Sequence, residues 1–197
     1  MNKFDVVVVG KGNAALCAAL SARDTGVSVA MLEAAPIDES GGNSRFAGGV
    51  MRFAYSGVED LRRVTYISDE EAANSDFGSN TREHFLDVMY ELSQYRTDPD
   101  LSELLVNSGL DTMAWLRTQG AKFILNHGRQ SGMVNGKRVY FGNMPIEVNG
   151  GGAGLVDYLD ATAKKKGIEI FYDTRAASLI YENGRVCGVR ALQKEKA

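Results

Sequence analysis

Phe4-Asp5-Val6-Val7-Val8-Val9-Gly10-Lys11-Gly12-Asn13-Ala14-Ala15 is the stretch on which the fold turns. Its first half is a β-branched run, apolar on both faces, as a parallel strand covered by helices requires. Gly10 ends that run. Ala14, Ala15, Leu16, Ala18, Ala19, Leu20 and Ala22 then suit a buried helix over 13–25 built from small side chains, with Gly26 as its C-terminal cap. Val27 to Leu32 follows as a second strand. A strand, helix and strand of about 30 residues is the smallest piece of a doubly wound α/β domain.

Gly10, Gly12 and Ala15 spell the Gly-x-Gly-x-x-Ala form of a dinucleotide fingerprint, placed between a strand and a helix. Gly10 allows the tight turn, Gly12 lets the backbone approach a pyrophosphate, and Ala15 permits close contact of helix and strand. The helix start at Asn13-Ala14 then presents free N–H groups to phosphate. Glu33 ends the second strand about 20 residues further on, where a carboxylate accepts ribose hydroxyls and repels an NADP-type phosphate. Alone, each feature has an ordinary explanation in a strand-to-helix turn or a solvated charge. Together they point to FAD or NAD and leave the choice open.

Between Pro36 and Gly57 the composition turns to Gly, Ser, Asn and Asp, which places a cofactor loop there. Helical spacing of Phe85, Val88, Met89, Leu92 and Tyr95 predicts a helix over 81–95. Leu101, Leu104, Leu105, Met113 and Leu116 predict another over 98–119, started by Asp98-Pro99. Short strands are expected at 121–125 and 138–141. After Gly150-Gly151-Gly152-Ala153-Gly154, an amphipathic helix from Leu155 closes at Lys164–Lys166, followed by a strand at 168–172. Asn183-Gly184 turns a hairpin of 176–181 and 186–191.

The 197 residues carry 22 Lys plus Arg against 25 Asp plus Glu, a net charge of −3, so no basic excess drives nucleic-acid binding. The longest apolar run, Val6–Val9, is far short of the roughly 20 residues that cross a bilayer. No secretory pattern precedes it, so a cytoplasmic location is expected. Cys17 and Cys187 lie far apart without a Cys-x-x-Cys pair and are expected to be small core residues, not a disulfide or zinc site. His84 and His127 lack ligand spacing, so neither is assigned to a metal or to catalysis.

Leu32-Glu33-Ala34-Ala35-Pro36 followed by Gly41-Gly42-Asn43-Ser44-Arg45-Phe46-Ala47-Gly48-Gly49 resembles the pattern of the fumarate reductase and succinate dehydrogenase flavoprotein superfamily. Gly12 to Leu20 and the Gly-Gly-Asn-Ser run look most like the tricarballylate dehydrogenase branch. Gly150–Leu155, Asp173–Ala176 and Gly184–Val189 match the superfamily's helix, strand and hairpin, so the likeness covers 4–54 and 149–192. Val50 departs from the Gly common at its position.

This resemblance implies a Rossmann-like FAD-binding domain of the glutathione-reductase type, formed by 1–54 and 150–197, with 55–149 as an inserted, mainly helical region. It implies FAD held by Gly10, Gly12, Asn13, Ala14, Ala15, Glu33, Ala34, Gly41, Gly42, Asn43, Ser44, Ala47, Gly48, Gly49 and the Ala176 backbone. The flavin is expected to be non-covalent, because relatives with a covalent flavin carry a His where Asn43 stands. The implied reaction moves hydride between a di- or tricarboxylate and flavin N5, with a separate electron acceptor. Its catalytic His and Arg groups are expected beyond this chain, which is therefore expected to be an N-terminal fragment. Such a truncated domain exposes a sheet edge that invites homo-oligomers. A ketosteroid dehydrogenase, a monooxygenase, an NAD enzyme and a nucleotide-binding module without turnover stay open as alternatives.

Overall fold

A computed structural model describes residues 3–194. In chain order the elements are β1 (Val6–Val9), α1 (Asn13–Asp24), β2 (Val29–Leu32), a 3-10 turn (Gly42–Phe46), β3 (Val50–Met51), α2 (Val58–Val64), α3 (Asp69–Ala73) and β4 (Ser75–Asp76). Then follow α4 (Arg82–Leu92), α5 (Pro99–Thr118), β5 (Phe123–Leu125), β6 (Ser131–Val134), β7 (Lys137–Tyr140), β8 (Ile146–Val148), α6 (Gly151–Lys165), β9 (Glu169–Phe171), β10 (Thr174–Glu182) and β11 (Arg185–Gln193). The fold is α/β. Contacts gather these elements into two compact units, Met1–Gly48 with Gly150–Ala197, and Gly49–Asn149.

The first unit is built on a parallel sheet in the order β1-β2-β9, with Val6 opposite Val29 and Leu32 opposite Phe171. Helices α1 and α6 pack against each other, and α1 covers β1 and β2. Leu16, Ala19 and Leu20 of α1, and Val156, Leu159 and Ala163 of α6, are all fully buried. Alanines on both helices let their backbones approach, and each buried leucine contributes about 1.5–3 kcal/mol. The Arg23 side chain ties the two helix ends by donating to the carbonyls of Lys166 and Val27 at 2.8 and 3.0 Å.

Helix α6 begins at Gly151, several residues before the expected Leu155, so the glycines form its first turn instead of a linker. The reason is steric. A Cβ on Gly152 would lie 2.0 Å from the Ser44 carbonyl oxygen and 2.8 Å from that of Ala47. Only a glycine lets α6 start directly against the 3-10 turn, where the Gly152 N–H donates to the Ala47 carbonyl at 2.8 Å.

Strands β10 and β11 form the expected hairpin, turned by Asn183 and Gly184 at φ of 49° and 80°. Cys187 corrects its expected place in the core: it is exposed. The pairing passes from Ile180–Gly188 to Tyr181–Val186, so Cys187 is the extra residue of a β-bulge and leaves the ladder. Cys17 is half-buried in α1.

The second unit holds α2 to α5 and two small sheets, antiparallel β3-β8-β5 and mixed β4-β7-β6. Asp98 caps α5 by accepting the Leu101 N–H at 3.0 Å, with Pro99 in the first turn as expected. Leu101, Leu104 and Leu105, expected on the inner face of α5, are instead 64%, 63% and 53% exposed. The buried stripe is Ser102, Val106, Met113 and Leu116. Gly109 belongs to the same helix face, and a Cβ there would press within 3.2 Å of Phe53 Cβ. Small residues on that face let the helix approach its neighbours, and a small residue carries no hydrophobic signal in sequence. Leu92 and Tyr95 are also exposed, because α4 ends at Leu92 and Gln94 and Tyr95 adopt φ of 52° and 57°.

Gly152→Ala is expected to cost about 1–3 kcal/mol by overpacking, read as a lower midpoint in thermal unfolding. Gly26→Ala, whose added Cβ meets nothing within 4 Å, carries only the left-handed strain of φ +90° and is expected to cost less.

Candidate functional site

In a parallel sheet the carboxyl ends of the strands are where loops converge and ligands sit. At that edge of the first unit Gly10 adopts φ +104°, open only to glycine, and its N–H donates to the Leu32 carbonyl at 2.7 Å. This bond locks the end of β1 to the end of β2. A Cβ on Gly10 would stand 3.8 Å from Ala15 Cβ, so the turn lies close under α1. Gly12 differs. Its φ of −73° and ψ of 177° suit any residue, and an added Cβ would make only ordinary contacts with Ser44 Oγ at 3.4 Å and Gly41 O at 3.6 Å. Neither backbone nor crowding demands a glycine there, so what a side chain would obstruct is approach from outside.

Helix α1 has no side-chain cap of its own. The Asn13 N–H donates instead to the Ser44 hydroxyl at 2.9 Å, so the second glycine loop caps the first helix. The first helical bond runs from Leu16 N–H to Gly12 O at 3.0 Å. The N–H groups of Ala14 and Ala15 find no acceptor among the described residues. Free donors at the positive end of a helix are the arrangement that favours an anion. Asn13 turns its side-chain carbonyl to the Cys17 thiol at 3.5 Å.

The second glycine loop lies alongside. Gly41 and Gly42 take φ of 111° and 54°, and Gly42, Asn43, Ala47 and Gly48 are exposed. Gly49 falls in the second unit, where its carbonyl accepts the Val148 N–H at 2.8 Å. Past β2, the Glu33 carboxylate accepts the Ala35 N–H at 2.8 Å, which fixes one oxygen and leaves the other to accept hydroxyl protons. Ala34 is exposed beside it. Thr174 N–H donates to the Glu33 carbonyl at 2.8 Å and Asp173 N–H to that of Ala35 at 3.2 Å, so β10 starts against this corner. Ala176 follows, half-buried and opposite Ala191 at a second bulge.

A charged cluster that fingerprint reasoning did not single out lies beneath these loops. Lys11, between the two glycines, is 2% exposed, and its ammonium sits 2.8 Å from Asp160 of α6 and 3.4 Å from the Ser40 hydroxyl. Arg45 reaches the same helix at Asp157, 2.9 Å away, and holds the Ser40 carbonyl at 2.8 Å. Asp157 and Asp160 share one face of α6 by their spacing, which is the only signal the sequence offered. Burial pushes the Asp160 carboxyl up, but hydrogen bonds and charge from Lys11 and Lys164 outweigh it and hold it below the usual carboxylate range. Tyr172 completes the cluster, with its ring 5.7 Å from the Lys11 ammonium and its hydroxyl 3.4 Å from Asp160.

In the second unit a cavity of about 490 Å³ is lined by Tyr55, Asp60, Arg63, Asn80 and Glu83, among others. None of the expected site residues lines it. Burial, with help from the Asp76 charge, pushes the Tyr55 hydroxyl up to about 12, so it stays protonated and donates to the Phe77 carbonyl at 2.6 Å.

A family model described as FAD binding domain matches residues 5–197. A fumarate reductase (cytochrome) of Shewanella frigidimarina is 28% identical over 94% of this chain and 29% of that protein. An NADH:fumarate oxidoreductase of Klebsiella pneumoniae is 28% identical over 98% of this chain and 19% of that protein. Among solved structures, a 3-ketosteroid-Δ4-(5α)-dehydrogenase of Rhodococcus jostii superposes with a TM-score of 0.69 at 23% identity, covering 98% of this chain and 42% of that one. The chain therefore spans under a third of the length of these two sequence relatives.

Lys11 and Lys164 favour the ionised form of Asp160, so its folded-state affinity for protons is lower than in the unfolded chain. The stability it contributes is thus complete above the ordinary Asp range near about pH 4 and lost as pH falls below it. Denaturant unfolding between pH 7 and pH 3 is expected to show a steeper acid loss for the native protein than for Asp160→Asn.

Proposed function

The chain belongs to the FAD binding domain family, and on that premise we propose that it holds the ADP half of a non-covalent FAD in an oxidoreductase acting on a di- or tricarboxylate. The unpaired N–H groups of Ala14 and Ala15 beside the bare backbone of Gly12 are the observation that carries this reading. A pyrophosphate needs such donors and no intervening side chain. The Glu33 carboxylate, with one oxygen anchored by Ala35, suits the ribose hydroxyls of the same nucleotide. The residues present therefore fit the cofactor that the family implies.

In this reading Ala34 and the Ala176 backbone would hold the adenine, and the exposed Gly42, Asn43, Ala47 and Gly48 would hold the rest of the cofactor. Gly49 follows them in sequence. Asn43 carries an amide, which is no nucleophile toward a flavin methyl, in keeping with a cofactor that dissociates. When bound, FAD supplies a two-electron acceptor for hydride. The chain's own part in this reading is to bind and orient it.

Two relatives whose names give fumarate as their substrate support a carboxylate, and the resemblance to the tricarballylate dehydrogenase branch extends the class to tricarboxylates. Groups that hold the carboxylates and move the proton would lie in the part of the relatives' length that this chain does not span, and an electron acceptor would be separate. The ketosteroid enzyme's likeness at 23% identity carries the fold alone and does not favour a steroid.

Titration calorimetry of the purified protein with FAD, ADP, FMN and NAD tests the reading. FAD and ADP are expected to bind and FMN is not, and acid precipitation of the loaded protein is expected to release all its flavin. Gly12→Ala is expected to keep the unfolding midpoint while weakening FAD at least tenfold, about 1.4 kcal/mol. Binding of NAD in preference to FAD, or full FAD affinity in Gly12→Ala, would contradict it.

A further inference from the structure

Among the described residues of the nucleotide unit, Lys11 is the buried cation, and the fingerprint does not explain its role. The middle position of such a turn needs no particular side chain, since the turn is made by the glycines on either side. Here it carries a long ammonium that is 2% exposed and turned inward to Asp160 at 2.8 Å and Ser40 at 3.4 Å. Ser40 is itself 1% exposed and immediately precedes Gly41, the start of the second glycine loop. Its hydroxyl donates to the Ile37 carbonyl at 2.8 Å while its oxygen accepts from Lys11. From the other side Arg45 takes the Ser40 carbonyl at 2.8 Å and Asp157 at 2.9 Å. One residue of the loop is thus gripped by two cations, each anchored to a carboxylate on the same face of α6.

We propose that Lys11 and Asp160 are a positioning pair that sets the spacing between the two glycine loops and thereby the affinity for the pyrophosphate of FAD. A buried ion pair is a poor source of stability, because desolvation offsets most of its attraction, and apolar residues of similar volume often replace it without loss. What apolar residues do not reproduce is direction. The 2.8 Å contact fixes where the turn at Gly10–Gly12 stands over α6, and the Ser40 contact carries that placement to Gly41. Lys164, 2.7 Å from the other oxygen of Asp160, keeps that carboxylate ionised and aimed when Lys11 pulls on it.

This inference rests on the FAD reading above and makes a claim of its own, that affinity and stability separate. Asp160→Leu strands the buried Lys11 ammonium, whereas Lys11→Met leaves Asp160 to Lys164 alone; both are expected to lower the unfolding midpoint, Asp160→Leu by more. Lys11→Met/Asp160→Leu removes both charges and is expected to recover that midpoint. FAD affinity, read by calorimetry on the same samples, is expected to stay at least tenfold weaker in the double variant. Recovery of affinity together with the midpoint would overturn the proposal, because the pair would then act only on folding. Ser40→Ala, which cannot clash, decides the matter if the double variant fails to fold: a loss of threefold or more at an unchanged midpoint supports it, and unchanged affinity overturns it. A native protein that binds no FAD overturns the cofactor reading itself, whereas a native protein that binds and a double variant that binds equally well overturn the clamp alone.

Discussion

One hydrogen bond, from the Asn13 N–H to the Ser44 hydroxyl at 2.9 Å, joins the two segments on which the nucleotide unit depends. Without it α1 would begin with no cap, since Gly12 offers no side chain to its own helix. With it, the second glycine loop is seated beside the first, and Ala14 and Ala15 are left as the open donors. The same loop is pinned from behind, because the Gly152 N–H reaches the Ala47 carbonyl and the absent Cβ of Gly152 makes room for the Ser44 carbonyl oxygen. Glycine therefore serves two ends here. At Gly12 it keeps the outside of the turn clear, and at Gly152 it lets two backbones meet inside.

Much of this was legible in the sequence because it rests on local rules. The run from Val6 to Ala15, the Gly26 cap, the Asp98-Pro99 start and the Asn183-Gly184 turn each announce their geometry through residue types that few other conformations tolerate. The inner face of α5 was not legible, because Ser102 and Gly109 bury without being apolar while Leu101, Leu104 and Leu105 are apolar without being buried. Hydrophobic spacing finds large side chains, and close helix approach selects small ones. Cys187 escaped for another reason: a bulge shifts the inside and outside of a strand by one residue, and its register depends on the partner strand.

At the site, the glycines were found by motif and the charges were not. Lys11 and Asp160 are far apart in sequence, and only the packing of α6 onto the fingerprint turn makes them a pair. Such long-range polar contacts leave no periodicity to read. The matched relatives are more than three times as long as the matched stretch.

The most direct test is to follow the backbone amides of the isotopically labelled protein by NMR while ADP is added. Shifts concentrated at Gly12, Ala14, Ala15, Ala34 and the Gly41–Ser44 loop are the predicted result, with Ala14 and Ala15 moving furthest because their N–H groups gain an acceptor. Shifts confined to the Tyr55 and Asn80 cavity of the second unit, or none at saturating ADP, would contradict the account.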